Sequence, residues 1–404
     1  MRSKSKASPK GNETDRRQKR ARILSFILRC LQRVLFFLPL KKNRVMVYVH
    51  QRKGFTCNSK YVVQKLLEIY GDQLELIWVT AYPETCRDLC AKKVTVCATN
   101  SKTHIVKYIR TKVYVTNDLF PAWALHRSKQ IWINVWHGGM NYKHIGYDYL
   151  EPMCRAGERL FWFQNRTPDI YFAGSRYFKE DTAASFHLPE SVFWETGMPR
   201  NDIFFEDHSY LQDKIRKRYG VAAETKIVMY APTFRSGMED NTYGLDFAGL
   251  TDALSERFGG TWVVFFRNHN FVESSGSNRG QTVDVSDYDD MQELLYVLDV
   301  LISDYSSCMW DFCLTGRPCF VYAEDIEYYT TKDRTLSLPL QRWPYPIAET
   351  NEQLRQCILA FDDLEYRNRI QKHLKEIGSY DNGTASEQAA SIIGKYCIDD
   401  CGRI

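Results

Sequence analysis

Along most of the chain, apolar positions fall into short β-branched runs separated by stretches in which they recur every three to four residues. In the first half, RVMVYVH (44–50), LELIWVT (74–80), KVTVCAT (93–99), VYVTND (113–118) and QIWINVWHG (130–138) read as strands, with a helix over 59–70. The second half repeats this grammar, with strands at 226–233, 261–269, 282–286, 300–307 and 317–323. Helices are expected near 250–258, at 291–298 and running into Leu314. Nearly continuous apolar strands alternating with helices predict parallel sheets covered on both faces. The expected fold is α/β, with two doubly wound, Rossmann-like halves, and the charged stretch Glu206–Lys217 puts the boundary near residue 205.

The N-terminal segment follows a different pattern. Residues 2–20 are polar and basic with almost nothing to bury, and are expected to be disordered in solution. In Ile23–Leu40 (ILSFILRCLQRVLFFLPL) the apolar residues surround one polar stripe formed by Arg22, Ser25, Arg29, Gln32 and Arg33, which predicts an amphipathic helix. The run is short for a transmembrane span and two arginines interrupt it, and LPLKKNR offers no small-residue cleavage site for a signal peptide. Basic flanks on both sides favour a helix lying in the interface of an anionic membrane over a core helix with a charged leader. The expected organisation is a basic arm (1–22), a membrane helix (23–42), a first domain (43–205), a second domain (206–375) and a C-terminal helical segment (376–404).

Composition sharpens this picture. At 404 residues, 44% hydrophobic, 25% charged and 14% aromatic, the chain is neither fibrous nor wholly disordered. The net charge of +5 is uneven: residues 1–44 carry 14 Lys and Arg against two acidic residues, which leaves the other 360 residues at −7. A basic arm on an acidic body argues against a nucleic-acid-binding surface. The twelve cysteines include no Cys-x-x-Cys pair, so neither structural zinc nor a disulfide framework is expected, and the compartment reads as reducing and cytoplasmic.

No Walker A or GxGxxG sequence is present, so any phosphate must be held by another device. Ligands of doubly wound sheets sit beyond the carboxyl ends of strands, and four such ends carry polar clusters: Trp136-His137-Gly138-Gly139, Thr233-Phe234-Arg235, Arg267-Asn268-His269 and Asp304-Tyr305-Ser306-Ser307. His137 reads either as a satisfied core histidine or as a base beside glycines that let a ligand approach the backbone. Arg267 and His269 point to one side of a strand end, as an anion clamp or as an ordinary surface pair. Ser306 and Ser307 stand where a strand meets a helix, suited to phosphate or to capping, and Asp311 follows one helical turn later. Asp287-Tyr288-Asp289 could bind a metal, but falls in a polar turn, and that role is not the favoured reading.

The segments INVWHGGMNYKHIGYD (133–148), TGMPRNDIFF (196–205), VMYAPTFR (228–235), FFRNHNF (265–271) and VLISDYSSCMWDFCLTGRPCFVYAEDIEYY (300–329) together resemble the CDP-glycerol glycerophosphotransferase family, the primases and polymerases of wall teichoic acid and related capsular polymers. The resemblance spans about residues 45–380. It implies a GT-B-type fold whose terminal helix often crosses back, and monotopic attachment at the cytoplasmic face of the cell membrane. It further implies transfer of glycerol phosphate, or a related polyol phosphate, from a CDP carrier to a lipid-linked saccharide or glycan acceptor with release of CMP. By the same resemblance His137 would be the general base, with Gly138 beside it. His269 and Arg267 would hold the pyrophosphate, Arg235, Thr233, Ser306 and Ser307 would contact phosphate oxygens, and Asp311, with Asp304 nearby, would meet ribose or glycerol hydroxyls. No cofactor is required, although a divalent metal is not excluded.

Two departures stand out: Gly139 occupies a position where threonine is common, and Asn270 one where proline often follows. A nucleotide-sugar glycosyltransferase and a non-catalytic membrane scaffold are the alternative functions. The sequence leaves open the polyol, the acceptor, the number of units added and whether the chain forms homo-oligomers.

Overall fold

The computed structural model describes residues 9–49, 54–140, 142–149, 161–162, 164–233, 244–267, 282–333 and 335–399. Two all-parallel sheets dominate it. The first contains β1 (Lys41–Val49), β2 (Glu75–Thr80), β3 (Thr95–Ala98), β4 (Thr111–Thr116), β5 (Ile131–Asn134), β6 (Ile170–Ala173) and β7 (Phe193–Glu195), in the order β3-β2-β1-β4-β5-β6-β7. The second contains β8 (Lys226–Ala231), β9 (Trp262–Phe266), β10 (Thr282–Asp284), β11 (Val300–Ser303), β12 (Cys319–Tyr322) and β13 (Ile347–Ala348), in the order β10-β9-β8-β11-β12-β13. The order reverses between β1 and β4 in one sheet and between β8 and β11 in the other. Both reversals leave a crevice at the carboxyl ends of the strands.

The central strands are apolar along their length because helices cover both faces: Val45, Val47, Val113 and Val115 lie in one core, and Val228, Leu301, Ile302 and Phe320 in another. The helix Ala385–Cys397 belongs to the first sheet. Its Ala389, Ala390 and Ile393 pack with Val62, Val63 and Leu66 of the helix Cys57–Tyr70. Asp202 accepts hydrogen bonds from the first backbone N–H groups of this terminal helix, at Ala385 (3.1 Å) and Ser386 (2.7 Å).

The N-terminal helix runs from Pro9 to Leu35, so from Pro9 onward the stretch expected to be disordered is helical. Arg, Lys, Gln and Ala after residue 15 are good helix formers, and they extend the turn set by the apolar segment. The helix docks through Ser25, Leu28 and Gln32, while Arg33 of the polar stripe stays exposed. Gln32 is 1% exposed, donates to the Trp123 carbonyl (2.7 Å) and accepts from the Leu125 N–H (3.1 Å), while Ile23, Leu24, Phe26, Ile27, Leu31 and Val34 face outward. No helix among the described residues is long and apolar enough to cross a membrane.

Candidate active site

The site is assembled at the strand ends where the two halves meet. After β5, Asn134 Oδ1 accepts the Trp136 N–H (2.8 Å), and Asn58 Nδ2 donates to the carbonyls of Val135 (2.7 Å) and Trp136 (3.0 Å). These bonds hold Trp136 at φ +46°, a left-handed conformation that costs a bulky residue about 1–3 kcal/mol and persists only where its surroundings impose it. The turn presents His137. Its Nδ1 lies 2.8 Å from the Asn117 carbonyl oxygen, which follows β4, and its ring stacks on Trp136 at 4.3 Å. Because a carbonyl only accepts, Nδ1 carries the hydrogen, and the neutral ring then has its lone pair on Nε2.

The facing wall comes from the second half. Asp304, 1% exposed at the end of β11, accepts from the Thr233 N–H (2.9 Å) and hydroxyl (2.6 Å) beyond β8. Asp304 thus clasps the two strands that flank the order reversal. Ser306 and Ser307 follow, both half-buried. Ser306 Oγ accepts weakly from the Cys308 N–H at 3.4 Å, whereas the Ser307 side chain makes no capping bond to its helix.

A cleft of about 580 Å³, its open mouth included, lies between the walls and is lined by His137, Gly138, Tyr142, Lys143, Tyr305 and Ser307 among others. The halves approach closely here, since a Cβ on Gly138 would sit 4.0 Å from that of Ser307. Beyond the glycines, the two halves pair as short antiparallel chains: His144 N–H donates to the Thr335 carbonyl and Ser337 N–H to that of Tyr142. The Gly139 departure has a packing reason. A Cβ there would meet Met198 Cγ at 3.2 Å.

The cleft brings together His137, Gly138 and Ser307; Ser306 precedes Ser307 in the chain, and Thr233 and Asp304 are bonded to each other. Asp311 is 2% exposed, and its carboxylate accepts from Arg200 (2.6 Å) and Gln292 (2.8 Å). Asp304 is likewise committed to its clasp rather than to a hydroxyl of the substrate. Arg267 Nη1 donates to the carbonyls of Val285 (3.1 Å) and Tyr288 (2.7 Å), fixing that guanidinium beside β9. Arg235 and His269 lie outside the described residues.

Asp287 is engaged with Arg218 (2.7 Å) and the Tyr219 hydroxyl (2.7 Å). Among the described residues no three His, Cys, Asp or Glu side chains converge as metal ligands would. Sequence reasoning missed Asn58, Asn117, Lys143 and Arg200. Asn117 closes a strand end that the pattern located, and Arg200 sits inside TGMPRND, so both were visible as motif members without a role.

The family model described as CDP-glycerol:poly(glycerophosphate) glycerophosphotransferase matches residues 30–395. The chain belongs to this family. Similar relatives include a teichoic acid poly(glycerol phosphate) polymerase of Staphylococcus epidermidis, 26% identical over 85% of this chain and 49% of its own length. Another is a teichoic acid glycerol-phosphate transferase of Staphylococcus aureus, 27% identical over 71% of this chain and 77% of its own. The chain therefore spans about half of the first polymerase and most of the transferase. Among solved structures, the wall teichoic acid polymerase TagF shares the fold, with a TM-score of 0.78 at 24% identity over 96% of this chain and 98% of that one. A UDP-GlcNAc 2-epimerase from Neisseria meningitidis shares it more distantly, with a TM-score of 0.54 at 12% identity over 87% of this chain and 100% of that one. The chain thus shares with TagF a fold of two parallel-sheet domains, and its cleft lies where they meet.

Proposed function

We propose that this protein transfers glycerol phosphate, or a related polyol phosphate, from a CDP-linked donor to a hydroxyl of a lipid-linked or glycan acceptor in teichoic acid-like polymer synthesis. The observation that carries the reading is His137, held through Nδ1 by Asn117 and facing Ser307 across the cleft. In the reaction, His137 Nε2 takes the proton of the acceptor hydroxyl. The acceptor oxygen bonds to the phosphorus that bears the polyol, the bond from that phosphorus to the bridging oxygen breaks, and CMP leaves with the electron pair. Phosphoryl transfer of this kind depends on alignment and charge stabilisation more than on covalent chemistry. Ser306 and Ser307 supply hydroxyl donors to the phosphates; Arg267, Arg235 and His269 are assigned to the same task on their place in the motifs alone.

The outward face of the N-terminal helix supports attachment to a membrane surface. Six apolar side chains are largely exposed while Ser25 and Gln32 on the other side are buried, and the flanking basic residues suit anionic lipid.

The test is a donor screen with CDP-glycerol, CDP-ribitol and UDP-sugars, each with a lipid-linked disaccharide acceptor, in the presence and absence of a chelator. Nucleotide release and product mass are read together. CMP release with an acceptor gain of one or more polyol phosphates supports the reading. UDP release with a hexose-sized gain replaces it with a glycosyltransferase, and loss of activity with chelator would add a divalent metal.

A further inference from the structure

We propose that Arg200 is a positioning residue that locks the backbone of the base to the segment following the serine pair, an inference that rests on the transferase reading above. Arg200 is 5% exposed, in the turn segment Pro199–Phe204 after β7. One guanidinium nitrogen, Nη1, donates to the carbonyl oxygen of His137 itself at 2.6 Å. The other, Nη2, is 2.6 Å from Asp311 Oδ2 in the second half, four residues beyond Ser307. The Arg200 backbone N–H donates to Asn58 Oδ1 (3.0 Å), the same side chain whose amide grips the carbonyls of Val135 and Trp136.

Three consecutive carbonyls, 135 to 137, are therefore held by one connected pair of side chains around the left-handed Trp136. The arrangement needs an arginine. A guanidinium offers two donors at fixed spacing in one plane, so it reaches a carbonyl on one side and a carboxylate on the other, whereas an ammonium is a point that would satisfy one and release the other. Gln292 Nε2, 2.8 Å from the same carboxylate oxygen, fixes Asp311 from behind, so the anchor does not swing. A base displaced by about 1 Å loses on the order of 10²-fold in rate without losing the substrate's own contacts. The signature of a positioning role is thus a fall in kcat with KM for the donor nearly unchanged.

The experiment compares wild type, Arg200→Lys, Asp311→Asn and the double variant Arg200→Met/Asp311→Leu. CMP release from CDP-glycerol is measured at saturating acceptor, alongside thermal melting and 15N-histidine spectra in which the His137 signals are assigned by their absence in His137→Gln. The double variant removes both buried charges, so it is the one that keeps its fold if a lone unpaired charge unfolds a single variant.

Expected are a fall in kcat of at least 10-fold with donor KM within 3-fold for Arg200→Lys, the same for the double variant despite near-native melting, and displaced His137 ring signals in both. Wild-type kcat in the double variant would overturn the proposal and reduce the pair to a cross-link. So would a loss confined to KM, or His137 signals identical to wild type. The histidine spectra are read without turnover, so they decide on Arg200 even if CDP-glycerol proves to be the wrong donor and the transferase reading alone fails.

Discussion

The Lys60 ammonium, on the helix Cys57–Tyr70 of the first half, lies 2.6 Å from the Glu293 carboxylate on the helix Met291–Val297 of the second. The same ammonium pairs with Asp290, and Lys214 closes on the other Glu293 oxygen at 2.6 Å. Burial alone would raise the Glu293 pKa, but Lys60, Lys214 and the Tyr288 hydroxyl outweigh it and hold the group at about 2. Lys60→Met leaves two buried carboxylates without their main partner. It is expected to cost about 3–5 kcal/mol at pH 7 in urea unfolding. A depressed carboxylate stabilises above its unfolded value of 4.5 and loses that contribution as pH falls toward 2. The gap between variant and wild type should therefore narrow at pH 3; a gap that stays constant would contradict this account.

His137→Gln keeps a side chain of similar reach but has no basic ring nitrogen. CMP release should drop by about 10²-fold or more at saturating substrates, with little change in melting temperature. Activity within tenfold of wild type would remove His137 from the role of base.

Asp381 is half-buried as a residue and lines a small pocket with Asn201 and Asp311. Burial, partly offset by the Met198 N–H, pushes it up to about 7 from 3.8. A raised carboxyl favours the fold fully below its unfolded value and loses that contribution as pH climbs through the folded one. Asp381→Asn, which cannot ionise, should gain on wild type by about 1–3 kcal/mol between pH 4 and pH 8. Unfolding curves at several pH values test this, and parallel profiles for the two proteins would refute it.

The two faces of the N-terminal helix should separate by mutation. Phe26→Ser with Leu31→Ser changes only outward residues. Folding stability should stay within about 0.5 kcal/mol while co-sedimentation with anionic vesicles falls sharply. Gln32→Leu instead orphans the Trp123 carbonyl and the Leu125 N–H, with an expected loss of about 1–3 kcal/mol. Unchanged vesicle binding in the serine variant would discard the membrane face.

Strands such as β1 and β4 were legible because RVMVYV and KVYVT alternate valine with other apolar or aromatic residues and admit few other readings. β6 and β7, at four and three residues, carry no such run. The helix Tyr210–Tyr219 is so charged that only Leu211 and Ile215 are buried, and its charge read only as a domain boundary. The amphipathic stripe near Ser25 and Gln32 was visible, but not that the polar side would be the docked one, since that depends on the partners Trp123 and Leu125 about 90 residues away. The site shows the same limit. Strand-end clusters stand out locally, whereas the pairing of Asp311 with Arg200 joins two motifs, and no spacing along the chain reveals such a pair.

The helix Ala385–Cys397 fills a slot in the first half, so that half is completed by a segment made about 180 residues later. On the ribosome, the half that carries His137 waits with an open apolar seam along Val62, Val63 and Leu66 until residue 397 has emerged. At about 5–20 residues per second, that wait after residue 205 lasts on the order of 10–40 s. A premature stop near residue 380 would leave the second sheet whole and expose the first, and the truncated product would be recognised by chaperones and proteases through the wrong end of the chain.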